Sequence, residues 1–368
     1  MIENSLFANK TILIISPQSW QKNFVSKHHY ATKLADLGAK VYFLNPPNKS
    51  AKIFNVNKNL HVVNFKHTKG INKLPAAISG LMVKREIQRL EKLLSVTFDI
   101  IWNFELSRFY NLRFVKDKIK ILHIVDLNLM ESSNLMLALK SYQLFFGTSD
   151  FIVEKFGSTA YKFKINHGYN IELLALDKIQ KENNSSRIKV AYLGNLSIDY
   201  LDWNLIYDVI VTNPSIEFHF IGPIKDNARS DSGEILEFQK KSLQLENCFI
   251  HEAISSGEIN AELSKYDLLL LCYKANEYLE QLANPHKVLE YIGTGKPIVA
   301  TYTYEYRDSN LIEMASNRED FIALFNHVSG NLSKFSTQNL CRSRIKFAKE
   351  NSYQNQIKRI ENYIQLIL

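Results

Sequence analysis

The sequence predicts two doubly wound α/β domains, each a parallel sheet with helices on both faces. Three observations carry this expectation. The chain has 368 residues, and a single core rarely organises more than about 250–300. Short apolar runs alternate with longer amphipathic ones along its whole length. The alternation restarts near residue 187, as it does where a second strand–helix domain begins.

Six runs in the first half read as strands: Thr11–Ser16, Val41–Leu44, His61–Phe65, Asp99–Trp102, Lys120–Val125 and Gln143–Thr148. They are short and mostly Ile, Val, Leu or Phe, which suits strands buried on both faces of a parallel sheet. Phe24 to Leu37 reads as a helix stopped by Gly38 in the C′ position. In the second half Lys189–Leu193, Glu217–Ile221, Cys248–His251, Leu268–Cys272 and Ile298–Thr301 read as strands. The polar, aperiodic stretch Asp177 to Arg187 reads as a linker or a loop just inside the second domain. From about Tyr353 a last helix sets Ile357, Ile360, Ile364 and Ile367 on one face. That stripe must pack on something, and the expectation is packing across the two domains. The expected division is 1–170, 171–350 and a closing helix over 351–368.

Composition bounds the function. With 46% apolar and 22% charged residues the chain is an ordinary globular protein. Cys248, Cys272 and Cys341 are odd in number, far apart and without metal-ligand spacing, so reduced thiols in the cytoplasm are expected. The first apolar run, Thr11 to Ser16, is too short for a signal peptide and follows no basic region. No stretch of about 18 apolar residues reads as a membrane-spanning helix. The charge is uneven: residues 1–170 hold 24 basic and 11 acidic side chains, residues 171–368 hold 21 and 26. A basic first half implies an anionic partner, or only a solubilising surface excess. The candidates are a membrane surface, a phosphorylated acceptor and nucleic acid. No basic–aromatic motif of a nucleic-acid reader is present, which argues against the last. No G-x-G-x-x-G follows a strand, which argues against a dehydrogenase.

The segment richest in chemistry is NPHKVLEYIGTGKPIVAT, from Asn284 to Thr301. Asn284 is a good N-cap and Pro285 suits the first helical position. Val288, Leu289 and Ile292 form a buried stripe. Gly293 and Gly295 end the helix before the strand Ile298–Thr301. Lys287 lies in the first turn, where a cation opposes the helix dipole. A phosphate at the helix N-terminus resolves that conflict by accepting backbone N–H bonds and pairing with Lys287. Glu290, three residues on, shares the face of Lys287 and is suited to hydrogen bonds from ribose hydroxyls. On the helix alone, an inconsequential i,i+3 ion pair explains the two residues equally well.

The whole succession resembles the donor-site signature of GT-B glycosyltransferases, above all bacterial enzymes of polysaccharide assembly. That signature runs Pro-x-Lys-x-x-Glu-Tyr, a small-residue turn, then Gly-Lys-Pro-Val-Val-Ala-Thr. The resemblance extends to VAYLGNLSIDYLDWNLI (Val190 to Ile206), which looks like the first strand and turn of the donor domain, with Gly194 and Asn195 at the strand's end. FHFIGPI (Phe218 to Ile224) resembles another strand end and contains Gly222. Gly257-Glu258-Ile259, ahead of Leu263 and Tyr266-Asp267-Leu268, resembles the segment whose preceding loop holds the nucleotide base. Asn166-His167-Gly168-Tyr169-Asn170 resembles the turn before the interdomain crossing. About half the chain carries the likeness, and the first half only loosely.

The resemblance implies a GT-B fold, two Rossmann-like domains facing a cleft with the C-terminal helix crossing between them. It implies an enzyme of the hexosyltransferase class that moves a sugar from a UDP- or GDP-sugar to a glycan hydroxyl. Such an acceptor is expected to be lipid-linked, in cell-surface polysaccharide biosynthesis, with the protein cytoplasmic and peripheral on the inner membrane face. The donor site it implies comprises Gly194, Asn195, Gly222, Tyr273, Pro285, His286, Lys287 and Glu290, with Lys287 by the diphosphate and Glu290 on the ribose. Many retaining members carry a second Glu eight residues before the ribose Glu. Leu282 stands there, with Glu277 and Glu280 off spacing, so inversion is expected.

Inversion requires a base for the acceptor hydroxyl. Asp126, just after the strand ending at Val125, is the candidate; its alternative role is N-cap of the stretch that follows. Trp20, His28, His29, Glu105 and His123 are further acceptor-side candidates, although histidines at such positions more often pack. No Asp-x-Asp occurs in the chain, so no metal is expected. Lys287, the helix dipole and backbone amides would then stabilise the departing diphosphate. Two other readings use the same site: a GT-B nucleotide-sugar epimerase and a non-catalytic nucleotide-sugar-binding module. Finally, Lys66 to Leu94 interleaves basic residues with Leu74, Ile78, Leu81, Met82, Leu90 and Leu94. This is either a membrane-surface helix or a core helix with a solvated basic face.

Overall fold

The computed structural model describes residues 5–21, 24–49, 51–125, 134–171, 187–224, 233–255, 257–274, 284 and 286–368. Two compact units divide the chain, one of residues 1–168 with 353–368 and one of residues 169–352.

The first unit holds an eight-stranded sheet. Its strands are β1 (Thr11–Ile15), β2 (Lys40–Leu44), β3 (Lys52–Asn55), β4 (Leu60–Asn64), β5 (Ile100–Asn103), β6 (Ile119–Ile124), β7 (Leu144–Gly147) and β8 (Lys162–Lys164). They lie in the order β3-β4-β2-β1-β5-β6-β7-β8. All pairings are parallel except β3 with β4. The six strands read from the sequence are present within a residue or two of their expected bounds. The short edge strands β3 and β8 escaped that reading, because both are polar and leave most side chains in or near water. The helices are α1 (Ser26–Asp36), α2 (Ala76–Leu94), α3 (Leu135–Leu139) and α4 (Asp150–Lys155). Gly38 follows α1 with φ of 89°, the left-handed conformation its place predicts.

The second unit holds six parallel strands. They are β9 (Lys189–Leu193), β10 (Glu217–Ile221), β11 (Cys248–His251), β12 (Leu268–Leu271), β13 (Ile298–Thr301) and β14 (Glu313–Ala315). Their order is β11-β10-β9-β12-β13-β14. The helices are α5 (Trp203–Val211), α6 (Gly233–Ser242), α7 (Ile259–Leu263), α8 (His286–Gly293), α9 (Arg318–Ser329), α10 (Leu332–Phe335) and α11 (Gln338–Glu350). Apolar side chains of β9, β10, β12 and β13 form its core with those of α5, α8 and α9.

The chain then returns to the first unit as α12 (Tyr353–Gln365). Tyr353, Ile357, Ile360 and Ile364 are fully buried in the core that α1 and one face of the first sheet also form, and Ile367 packs against it. The isoleucine stripe is therefore a structural part of the first unit. Gly168, at the end of the outgoing chain, touches the same helix: a Cβ there would lie 2.2 Å from the Tyr353 ring. The polar stretch expected as a linker lies mostly outside the described residues.

Shortening a fully buried isoleucine leaves a cavity and typically costs about 2–5 kcal/mol. Ile360→Ala is accordingly expected to lower the unfolding transition of the first unit and leave that of the second unchanged. Calorimetry on the full chain, with the two transitions assigned by domain-selective probes, checks this.

Candidate functional site

In an open parallel sheet, ligands bind beyond the carboxyl ends of the strands, at the point where the strand order reverses. In the second sheet that point lies between β9 and β12. The β9–β12 register ends at Ala191 with Leu269. The Leu193 amide, two residues further, is met instead by a side chain and donates to the Tyr291 hydroxyl at 2.8 Å. Tyr291 lies on α8 and is fully buried. Its hydroxyl also lies 3.4 Å from the Leu193 carbonyl, and burial pushes its pKa above the usual phenol value. One side chain thus ties α8 to the end of β9.

The turn after β9 is built on close backbone approach. Gly222, just past β10, has φ of 154°, and a Cβ on it would fall 1.7 Å from the Gly194 carbonyl oxygen. Only glycine fits there. A Cβ on Gly194 would meet the Tyr192 hydroxyl at 2.6 Å. Asn195 accepts from the Ser197 amide at 3.1 Å and closes the turn. Tyr273, expected as a donor contact, is buried beside Tyr192 and Tyr200. Its amide donates to the Thr301 hydroxyl at 2.9 Å, linking the ends of β12 and β13. A cavity of about 220 Å³ opens next to this turn, lined by Leu196, Ser197, Ile198, Asp199, Trp203, Glu234, Ile235 and Lys274.

On α8 the buried stripe is Val288, Leu289, Tyr291 and Ile292. That leaves His286, Lys287 and Glu290 half-buried on the other side. The Lys287 ammonium donates to one Glu290 carboxylate oxygen at 3.0 Å. His286 Nδ1 lies 3.4 Å from the other oxygen. Asn284 is buried just before the helix, while Pro285 and Leu282 lie outside the described residues. After α8, Gly295 takes φ of 74°, and a Cβ on it would lie 2.6 Å from the Cys341 sulfur. The fully buried Arg344 donates to the carbonyls of Leu311 at 2.8 Å, Phe335 at 2.8 Å and Gly295 at 3.3 Å, fixing the Gly-Lys-Pro turn from behind. Tyr169 packs where a side chain on Gly293 would stand, accepts from Asn260 at 2.7 Å and is pushed up to about 12 by burial.

The sequence assigns no role to Tyr291, although it closes the Pro-x-Lys-x-x-Glu-Tyr signature, and none to Arg344. Tyr291 had a signal, since it falls in the apolar stripe of α8 directly after Glu290. Arg344 had none, because the run CRSRIKFAKE looks like an exposed basic helix.

The first-unit candidates separate on inspection. Asp126 lies outside the described residues. His123 is fully buried among the rings of Tyr30, Trp102, Phe104 and Phe146, and burial holds its pKa down at about 3. It stays uncharged at neutral pH and has no open side. His28 is also buried. Its Nδ1 accepts from the Val25 amide at 3.1 Å, and its Nε2 lies 3.1 Å from the Ser19 carbonyl, so it caps α1 as a neutral ring. Burial lowers its pKa, outweighing that bond. Glu105 is buried and bound to Arg108 Nε at 2.7 Å and to the Ser107 hydroxyl. Arg108 also donates to the carbonyls of Ser16 and Asn45, each at 2.9 Å. These three side chains therefore hold the framework and do not line an open wall. Trp20 and His29 remain partly accessible, Trp20 against Phe24 and Phe43 and His29 stacked on Tyr353.

No protein-family model and no curated protein matches the chain. Solved structures match it over nearly its full length, and they define a fold: two parallel-sheet α/β units in the GT-B arrangement of strands. One is a sucrose-phosphate synthase from Thermosynechococcus elongatus, at 11% identity, covering 98% of this chain and 99% of that one, with a TM-score of 0.74. A second is Anabaena HepE in complex with UDP and glucose, at 13% identity, 96% and 99% coverage and a TM-score of 0.68. A third is a putative UDP-N-acetylglucosamine 2-epimerase from Listeria monocytogenes, at 14% identity, 97% and 96% coverage and a TM-score of 0.53.

Removing the hydroxyl in Tyr291→Phe leaves the Leu193 amide buried without that partner, at a cost of about 1–3 kcal/mol. A lower melting temperature together with faster hydrogen exchange at Leu193 is the expected result. Unchanged exchange would show that the hydroxyl does not hold the strand end.

Proposed function

We propose that the protein is a glycosyltransferase that takes a sugar from a nucleotide-diphosphate donor, UDP- or GDP-linked, and passes it to a hydroxyl of a glycan acceptor. One observation carries the reading. At the switch point of the second sheet, Gly194 and Gly222 bring the backbone after β9 and β10 into contact, and Tyr291 ties the end of β9 to α8, which bears Lys287 and Glu290. A bare backbone turn beside a cation and a carboxylate suits a diphosphate followed by a ribose. The likeness of fold to HepE, whose structure holds UDP and glucose, supports it.

In the proposed reaction the acceptor oxygen bonds to the anomeric carbon as that carbon's bond to the diphosphate oxygen breaks. The hydroxyl proton passes to the Asp126 carboxylate and the nucleotide diphosphate departs with the bonding pair. Lys287 and backbone amides near Gly194 stabilise the charge that develops. Leu282, where a second carboxylate would stand in many retaining enzymes, favours inversion. The proposal includes a lipid-linked acceptor in cell-surface polysaccharide assembly and no metal. The Listeria structure shares the fold, so epimerisation is the second reading. It differs in forming no glycosylated acceptor.

A thermal-shift panel of UDP-, GDP-, TDP- and CMP-sugars is expected to single out one nucleotide. Glu290→Ala should weaken binding of that donor by the worth of its charge-assisted hydrogen bonds, about 1.5–3 kcal/mol. Normal donor affinity in this variant would sink the site assignment. Asp126→Asn is expected to keep donor affinity and to lower turnover by about 10²–10⁴-fold, the usual contribution of a general base. Transfer assayed with excess chelator should proceed at the full rate; loss of rate that returns with added divalent cation would reject the metal-free reading.

A further inference from the structure

Two histidines that the donor reading does not use meet on the second sheet. Side chains alternate between the faces of a strand, so His219 on β10 shares a face with Glu217. The register sets Phe249 of β11 beside His219, and His251 two residues on, beside Ile221. The diagonal neighbours His219 and His251 therefore lie on one face. His219 Nδ1 and His251 Nε2 are 2.9 Å apart. An uncharged imidazole carries an in-plane lone pair on one ring nitrogen, and here two such nitrogens face one another.

The surroundings hold the first ring and leave the second open. His219 is half-buried, stacked on Phe249 with ring centroids 4.9 Å apart and with Tyr266 at 5.1 Å. Its Nε2 is buried, and the Glu217 carboxylate lies 3.7 Å from it. A hydrogen on Nε2, facing that carboxylate, leaves the lone pair on Nδ1; carboxylates orient metal-ligating imidazoles in this way. Burial holds the His219 pKa below the usual imidazole value, which favours the uncharged ring. His251 is exposed and belongs to β11, an edge strand. Glu262 on α7, whose charge interacts with His251, is engaged by Lys265 and by the Tyr266 hydroxyl at 2.9 Å.

We propose that His219 and His251 form a two-histidine site for a divalent transition metal, Cu(II) ahead of Ni(II) and Zn(II). Bonds of about 2.0–2.1 Å at right angles place two ligand nitrogens about 2.9 Å apart, whereas a tetrahedral ion sets them about 3.3–3.4 Å apart. The observed separation is the square-planar one, which Cu(II) and Ni(II) favour, and Cu(II) stands highest in the affinity order of the series. On binding, His251 carries its hydrogen on Nδ1 and turns the Nε2 lone pair to the metal, an exchange that an exposed ring makes through water. No third His, Cys, Asp or Glu joins the pair among the described residues, so water fills the remaining positions. The proposal rests on these two rings and not on the donor reading, and no step of the sugar transfer runs through the metal.

Calorimetric titration of chelator-treated protein with copper sulfate, nickel chloride and zinc chloride tests it, together with electron paramagnetic resonance of the copper form. One equivalent of Cu(II) is expected to bind first and to show splitting from two imidazole nitrogens, with Ni(II) and Zn(II) bound more weakly. His251→Ala alters an exposed side chain. It should abolish that equivalent while the melting temperature and the nucleotide-sugar shifts match wild type, which separates the metal site from donor binding. Glu217→Gln should keep the two-nitrogen signature and weaken copper affinity about tenfold, as loss of an orienting carboxylate does. Three results would overturn the proposal: wild-type protein that takes up no stoichiometric equivalent, His251→Ala that binds copper like wild type, or a copper form that shows a single nitrogen.

Discussion

Strand order at the reversal point constrains both units more than any single contact. A parallel strand covered on both faces has little free except its carboxyl end. Where the order reverses, the two chain ends diverge and a crevice opens. In the first sheet this happens between β1 and β5, in the second between β9 and β12. Each crevice exposes backbone groups that the ladders no longer pair, and buried backbone groups need partners. The two units answer that need with different sets of side chains.

In the first unit the answer is a buried guanidinium. Arg108 joins the carbonyls after β1 and β2, and Glu105 balances its charge. Arginine suits the task because its planar fork reaches several acceptors at once. Such a pair costs desolvation on both sides, so its gain is in fixing the loops more than in net stability. In the second unit a hydroxyl, a guanidinium and a pair of glycines share the task. The Tyr291 hydroxyl serves Leu193, the buried Arg344 stands behind the Gly-Lys-Pro turn, and the Gly194–Gly222 contact keeps side chains out of the turn itself. In the first unit a charged pair holds the loops after β1 and β2; in the second, two glycines bring the backbone together after β9 and β10.

This contrast explains what the sequence disclosed. Of the eleven legible strands, most are continuous apolar runs that mark burial on both faces; β11 is an edge with partly exposed side chains and was legible from Cys248, Phe249 and Ile250 alone. The edge strands β3, β8 and β14 were not, since an edge needs no such run. The helix α8 was legible from its stripe and its glycines. The side chains behind the site were harder. Arg344 sits in a run that reads as solvated, and its burial follows only from carbonyls of residues 295, 311 and 335, far apart in sequence until the fold gathers them. Local patterns report which face of an element is buried. They do not report which distant backbone groups a polar side chain must serve, and this is why sequence alone left His28, Glu105 and His123 open between an acceptor-side role and the capping, pairing and packing that the fold gives them.

The Lys287–Glu290 ion pair bears on how the proposed donor would be received. The two side chains pair with each other, with His286 near the second carboxylate oxygen. Both are partly solvated, at 27% and 18% exposure. A pair this open contributes little, about 0–1 kcal/mol. A phosphate bound to Lys287 and ribose hydroxyls bound to Glu290 would each give charge-assisted hydrogen bonds worth about 1.5–3 kcal/mol. The proposed donor would therefore lose little by opening this pair. The helix face is also pre-set, because the pair already holds both side chains on the side of α8 that Val288, Leu289, Tyr291 and Ile292 do not occupy. An ion pair on this helix is therefore compatible with the proposed binding role: it costs little to open and holds both groups at the strand ends that Tyr291 fixes.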